Sequence, residues 1–171
     1  CPRGALHSIQ VAPPSSPYAK RLAKLTKGMK TDKGLKLNIK VYLVKEVNAF
    51  AMADGAIRVY SGLMDAMTDD EVRYVIGHEI GHVSLGHSKK ALQTAYMTSA
   101  ARKTGSASGS GVAKLSDSAL GELAEKLIHA QYSQSNENDA DQYALTFMKI
   151  NKYDPKAAVS ALRKLEKMYG N

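Results

Sequence analysis

The chain has one cysteine in 171 residues, so no disulfide can form within it and cross-links say nothing of its redox compartment. It has no apolar run approaching the roughly 18 residues of a membrane-spanning helix, and no repeat unit recurs along it. Its formal charge of +8 invites a nucleic-acid partner, but Lys20, Arg21, Lys24, Lys27, Lys30, Lys33, Lys36 and Lys40 lack an interleaved aromatic series for base stacking. Nucleic acid is therefore not expected as a partner, and the lysines read as a solvated face with some attraction for anionic lipid. What is present is ordinary globular composition, 44% hydrophobic and 23% charged, in a length that buries one core without staples.

Residues 1–15, with Pro13-Pro14 and serines, read as an irregular lead-in, and 16–171 as a single domain. Ser16-Pro17 opens a helix carrying Tyr18, Leu22, Leu25 and Met29 at helical spacing, expected over about 17–31. Short β-prone segments follow at Ile39 to Val44, Ala49 to Ala53 and Ile57 to Tyr60, the last two joined through Asp54-Gly55 as a hairpin. Leu63 to Met67 is a short helical stretch. Residues 88–103 look helical, 104–111 form a Gly/Ser-rich loop, and Asp117 caps a helix carrying Leu120, Leu123, Leu127 and Ile128. Further helices are expected over about 135–150 and after Asp154-Pro155, the last burying Ala158, Leu162, Leu165 and Met168. The pattern is α+β, mainly α-helical, with a small sheet.

The most informative stretch is His78-Glu79-Ile80-Gly81-His82. On a helix, residues four apart project from one face, and two neutral imidazoles there suit Zn²⁺. Glu79 points partly away, better placed to take a proton from a metal-bound water than to bind the ion. Five letters with three fixed arise by chance, but here they sit in a signalled helix. Thr68-Asp69-Asp70-Glu71 is a capping box, and Val72, Val75, Ile76, Ile80 and Val83 follow at helical spacing over about 69–86. Gly77 and Gly81 fall on one face of this helix and imply close approach by another backbone or by substrate.

A catalytic zinc site typically takes three protein ligands. A third histidine six residues after His82 would complete one known pattern, but Leu85 and Ser88 occupy the positions that call for glycine and histidine. His87, roughly 140° round a continuing helix from His82, reads as a structural or helix-end residue. Among later acids, Glu122 and Glu125 read as solvated-face charges and Glu166 sits near the C-terminus, whereas Glu137 stands four residues before Asp141. That spacing lets Glu137 bind the metal while Asp141 accepts the spare N–H of a ligating histidine. Tyr132 and Tyr143 are candidate oxyanion donors by chemistry alone and read more simply as packing residues.

Together with Asn48-Ala49-Phe50-Ala51 and Ile57-Arg58-Val59-Tyr60-Ser61-Gly62-Leu63, these motifs resemble the HtpX-like gluzincin metallopeptidases, in particular their soluble periplasmic branch, from about Tyr18 to Met168. The resemblance implies a zincin-like core in which an edge strand, expected at Ile57, Arg58, Val59, Tyr60 and Ser61, flanks the active-site helix and pairs with extended peptide. It further implies an endopeptidase of envelope protein quality control acting on unfolded or damaged proteins, with one Zn²⁺ per chain on His78, His82 and Glu137 and Glu79 as base. Periplasmic residence with outer-membrane association follows from the same resemblance. Cys1 suits the lipid-bearing residue of a lipoprotein, although the simpler reading is that a segment merely begins there. The chain departs from the pattern at Gln134, where many relatives carry arginine, and it stops at Asn171, before a His-Pro segment that many relatives place near the active site. The alternatives are a zinc-containing periplasmic chaperone or assembly factor with latent proteolysis, and a basic binding module. Oligomeric state is not readable from these features.

Overall fold

A computed structural model describes residues 9–91, 93–94 and 132–169. The Gly/Ser-rich loop, the helix capped by Asp117, Cys1, and most of the helix expected over 88–103 lie outside the described residues.

The element order is α1 (Pro17–Thr26), β1 (Asn38–Tyr42), β2 (Ala49–Ala51), β3 (Ala56–Tyr60), α2 (Ser61–Ala66), α3 (Asp69–Ser84), α4 (Gln134–Ile150) and α5 (Lys156–Tyr169). The expected α+β, mainly helical architecture is the one observed. α1 begins where Ser16 accepts a hydrogen bond from the Tyr18 N–H and Pro17 presets the first turn. It stops about a turn earlier than its apolar spacing suggests, because Lys27 is extended and Gly28 adopts a φ of 71°, which carries the chain out of the helix.

The three strands are ordered β1-β3-β2, with β1 parallel and β2 antiparallel to β3. The hairpin between β2 and β3 forms as expected. The expectation that Ile57 to Ser61 is the edge strand is wrong: β3 is central, paired on both sides. Ile57 and Val59 are fully buried, Arg58 faces Phe50 across the ladder, Tyr60 is buried, and Ser61 already begins α2, its hydroxyl donating to the Val44 carbonyl at 3.0 Å. A strand with neighbours on both sides has no free backbone row to offer a peptide. The outer side of β1 is in turn covered by residues 10–12, since Ala12 N–H donates to Val41 O at 2.8 Å and Leu43 N–H to Gln10 O at 2.9 Å. Among the described residues, the open edge is therefore β2, Ala49–Ala51.

One face of the sheet, through Val41, Ala51, Ile57 and Val59, joins Val72, Ile76 and Ile80 of α3 in the core. Each such fully buried aliphatic side chain contributes about 1.5–3 kcal/mol. Among the described elements α3 is the hub, contacting the other four helices and two strands of the sheet, and its most extensive partner is α4. The capping box at its start is present: Thr68 accepts from the Glu71 N–H, and Glu71 accepts from the Thr68 N–H at 2.8 Å. Glu71 is 2% exposed and also receives a 2.6 Å hydrogen bond from Lys164, which ties α5 to the root of α3.

α5 packs differently from expectation. It buries Ala157, Ala158 and Ala161, while Leu162 and Met168 are 43% and 45% exposed. Its small residues sit against the core, Leu165 packs partly buried beside them, and Leu162 and Leu165 line a cleft.

Candidate metal centre

α3 and α4 run antiparallel with two glycines at their contact. A Cβ on Gly77 would lie 2.5 Å from Phe147 Cδ1, and one on Gly81 would lie 3.1 Å from Tyr143 Cβ. The expected close approach is thus real, and what approaches are the side chains of a neighbouring helix. This register brings the first turns of α4 alongside the middle of α3. Ser133 caps α4 by accepting from the Asn136 N–H at 3.1 Å, which leaves Glu137 in the first turn, where the helix dipole favours a carboxylate.

His78, His82 and Glu137 converge with ligand atoms all within 4.8 Å of one another. His78 Nε2 lies 3.1 Å from His82 Nε2 and 3.2 Å from Glu137 Oε2, and His82 Nε2 lies 3.4 Å from Glu137 Oε1. A tetrahedral ion with ligand bonds of about 2.0–2.1 Å separates its ligand atoms by about 3.3 Å, close to the separations of the two histidines from each other and from the nearer carboxylate oxygens, so the trio suits a metal such as zinc. The residues around the trio match that purpose. His78 Nδ1 sits 2.9 Å from Asp141 Oδ1, leaving Nε2 turned to the centre, and Tyr74 donates its hydroxyl to the same carboxylate oxygen at 3.1 Å.

The electrostatics follow from this crowding. Burial disfavours a charged His78, but hydrogen bonds to Asp141 and Glu137 outweigh it and raise its pKa to about 10. Burial likewise pushes Glu137 up, yet hydrogen bonds from His78 and His82 hold it down at about 2. Two imidazoles and a carboxylate that share protons this tightly would exchange them for a cation, because proton and metal compete for the same lone pairs. Glu79 stands apart from the ligand trio and lines the cleft beside it. Its carboxyl is raised, first by burial, with the two histidines opposing and Glu137 reinforcing the shift.

The cleft has a volume of about 660 Å³. His78, Glu79 and Glu137 stand on one side, Val47, Asn48 and Ala49 at the start of β2 on another, and Leu162, Leu165 and Tyr169 of α5 on a third. Tyr169 closes part of the rim by donating its hydroxyl to the Val47 carbonyl at 2.6 Å. Gln134 also lines this cleft and donates to Asn138 Oδ1 at 2.9 Å.

The two tyrosines are placed differently. Tyr143 commits its hydroxyl to Asp32 at 2.6 Å, and Tyr132 stacks on the His82 ring with centroids 3.9 Å apart. His87 does not join the ligand trio. The helix ends at Ser84, and Gly86 with a φ of 79° turns the chain back, so that His87 Nδ1 comes to 3.0 Å from His82 Nδ1. Spacing along a continuing helix could not reveal this placement; the Leu85-Gly86 pair was its only sequence signal.

Comparison with known proteins agrees with this arrangement. Residues 18–169 match the model of Peptidase family M48. The chain is 48% identical over 159 residues to metalloprotease LoiP of Escherichia coli, covering 92% of this chain and 63% of the relative. It is 43% identical over 162 residues to metalloprotease YcaL of the same organism, covering 94% and 64%. A shorter match, 31% over 81 residues, links 44% of this chain to 28% of protease HtpX of Pseudomonas syringae. The chain thus spans less than two thirds of the length of these relatives. Because the family match runs through α3, α4 and every residue of the convergent trio, the chain belongs to peptidase family M48.

Proposed function

We propose that the protein is a zinc-dependent endopeptidase in which His78, His82 and Glu137 hold one Zn²⁺ per chain and Glu79 is the general base. The convergence of three ligand atoms within 4.8 Å, beside a separate carboxylate in the same cleft, carries this reading. Two imidazoles and one carboxylate suit zinc best among common divalent ions. The bound ion would supply Lewis acidity and lower the pKa of its water from about 15.7 to about 7.

The residues of the chain perform the remaining work. Asp141 holds His78 in the tautomer with a bare Nε2, with Tyr74 fixing the carboxylate behind it. Glu79, held by burial closer to neutrality than an ordinary carboxyl, takes a proton from the attacking water and passes it to the departing amine nitrogen. The substrate lies extended along β2, whose backbone edge pairs with any peptide in strand conformation and reads little of its sequence. That supports unfolded or damaged proteins as the substrate class. Resemblance to the periplasmic branch of the family supports action in the bacterial periplasm.

Casein hydrolysis by the wild type and by Glu79→Gln tests the reading. The variant is expected to keep its metal and lose about 10²–10⁴ in turnover, the usual share of general acid–base catalysis. Undiminished cleavage by Glu79→Gln would remove Glu79 from the mechanism.

A further inference from the structure

The two ligating histidines are supported unequally. His78 leans on a carboxylate, Asp141, whereas among the described residues His82 Nδ1 faces another imidazole, His87 Nδ1, at 3.0 Å. His82 is 1% exposed and Tyr132 covers its ring face, so neither solvent nor another described side chain takes the place of His87 at that nitrogen.

Two facing nitrogens can share only one proton, and the metal site decides its place. If His82 gives its Nε2 lone pair to an ion, its proton must sit on Nδ1 and donate outward. His87 Nδ1 must then be bare and accept, with the His87 proton on Nε2. We infer that His87 is the positioning residue of His82, fixing its tautomer and ring orientation through an Nδ1–H to Nδ1 hydrogen bond, as Asp141 does for His78. This rests on the metal-site reading above and adds a residue to it.

A neutral imidazole is a weaker acceptor than a carboxylate. His82 is consequently the less basic ligand, and the site pairs one strongly supported imidazole with one weakly supported one. The break at Gly86 makes this arrangement possible, since a helix continued through residue 87 would carry its side chain away from His82.

The test measures zinc affinity by chelator competition for the wild type, His87→Leu and His87→Asn, each checked for folding by circular dichroism. Asparagine places an acceptor oxygen where Nδ1 stands, while leucine keeps bulk and accepts nothing. The inference expects His87→Leu to lose about 10–100-fold in affinity, the usual effect of removing such a partner, and His87→Asn to restore most of it. Equal affinity in wild type and His87→Leu, or equal losses in both variants, would overturn it while leaving the metal site standing. Failure of the wild type to bind zinc would overturn both readings together.

If His87→Leu does not fold, the ¹⁵N shifts of the zinc-loaded wild type decide. A bare His87 Nδ1 opposite a protonated His82 Nδ1 is expected, and a protonated His87 Nδ1 would refute the assignment.

Discussion

Gly77→Ala probes how the ligand trio is brought together. An added Cβ would stand 2.5 Å from Phe147 Cδ1 and 3.1 Å from its Cγ, closer than nonbonded carbons tolerate. Phe147 cannot simply swing aside, being 4% exposed and packed edge-on to Tyr153 at a centroid distance of 5.9 Å. Relief requires α4 to retreat from α3. Overpacking of this kind costs about 1–3 kcal/mol, offset by about 1 kcal/mol from replacing glycine in a helix. A net loss of up to about 2 kcal/mol follows, or a fall in Tm of up to roughly 8 °C for a domain of this size.

The same retreat widens the 3.2 and 3.4 Å separations between Glu137 and the two histidines, so zinc affinity should fall along with stability. Gly81→Ala is the internal control, because its Cβ would meet Tyr143 Cβ at 3.1 Å and a shift of a few tenths of an ångström relieves it. Its net effect on stability should lie near zero. Differential scanning calorimetry of the apoproteins and chelator competition for zinc measure both quantities. A Gly77→Ala protein more stable than wild type with unchanged zinc affinity would refute the claim that the glycine contact sets the helix spacing.

Two further predictions concern residues around the trio. Asp141→Ala should weaken zinc binding by about 10–100-fold, and it should also lower stability because the buried Tyr74 hydroxyl loses its partner, an effect of about 1–3 kcal/mol; chelator competition and urea unfolding read the two effects separately. Burial pushes the Glu71 carboxyl up, but hydrogen bonds from Lys164, Ser160 and Thr68 prevail and hold it at about 2 against an ordinary 4.5. Its folded pKa is depressed, so the linked stability, about 3 kcal/mol, is present above about pH 5 and lost as pH falls through 4.5 toward 2. Urea denaturation of the apoprotein at pH 7 and pH 3 should show a smaller decline in Glu71→Gln than in wild type, and equal declines would contradict the assignment.

The features legible in the sequence were those set by local chemistry. The capping box at Thr68 and the apolar spacing after it depend on residues within a few turns, and α3 starts where they indicate. For Glu137 the ligand count calls for a third group and its spacing to Asp141 matches one turn, and the structure brings both carboxylates beside the two-histidine helix. Strand order is different in kind. Whether Ile57 to Ser61 lies at the edge or the centre depends on β1 folding back beside it, opposite β2, and no periodicity in the strand itself records that. The apolar side chains Leu162 and Met168 also misled. Helical spacing marks an apolar stripe, but on α5 the alanines meet the core and Leu162 faces the cleft. His87, read as a structural or helix-end residue, stays out of the ligand trio, but its place beside His82 is set by the left-handed Gly86, which spacing along a helix does not record.

Elemental analysis of the purified protein after zinc loading and dialysis, for wild type and Glu137→Ala, tests the central claim most directly. The account predicts one zinc per wild-type chain and a loss of that zinc on removing the carboxylate that meets both histidines within 3.4 Å. A wild type without zinc, or a Glu137→Ala protein that holds it as tightly, would contradict the assignment of His78, His82 and Glu137 as the metal site.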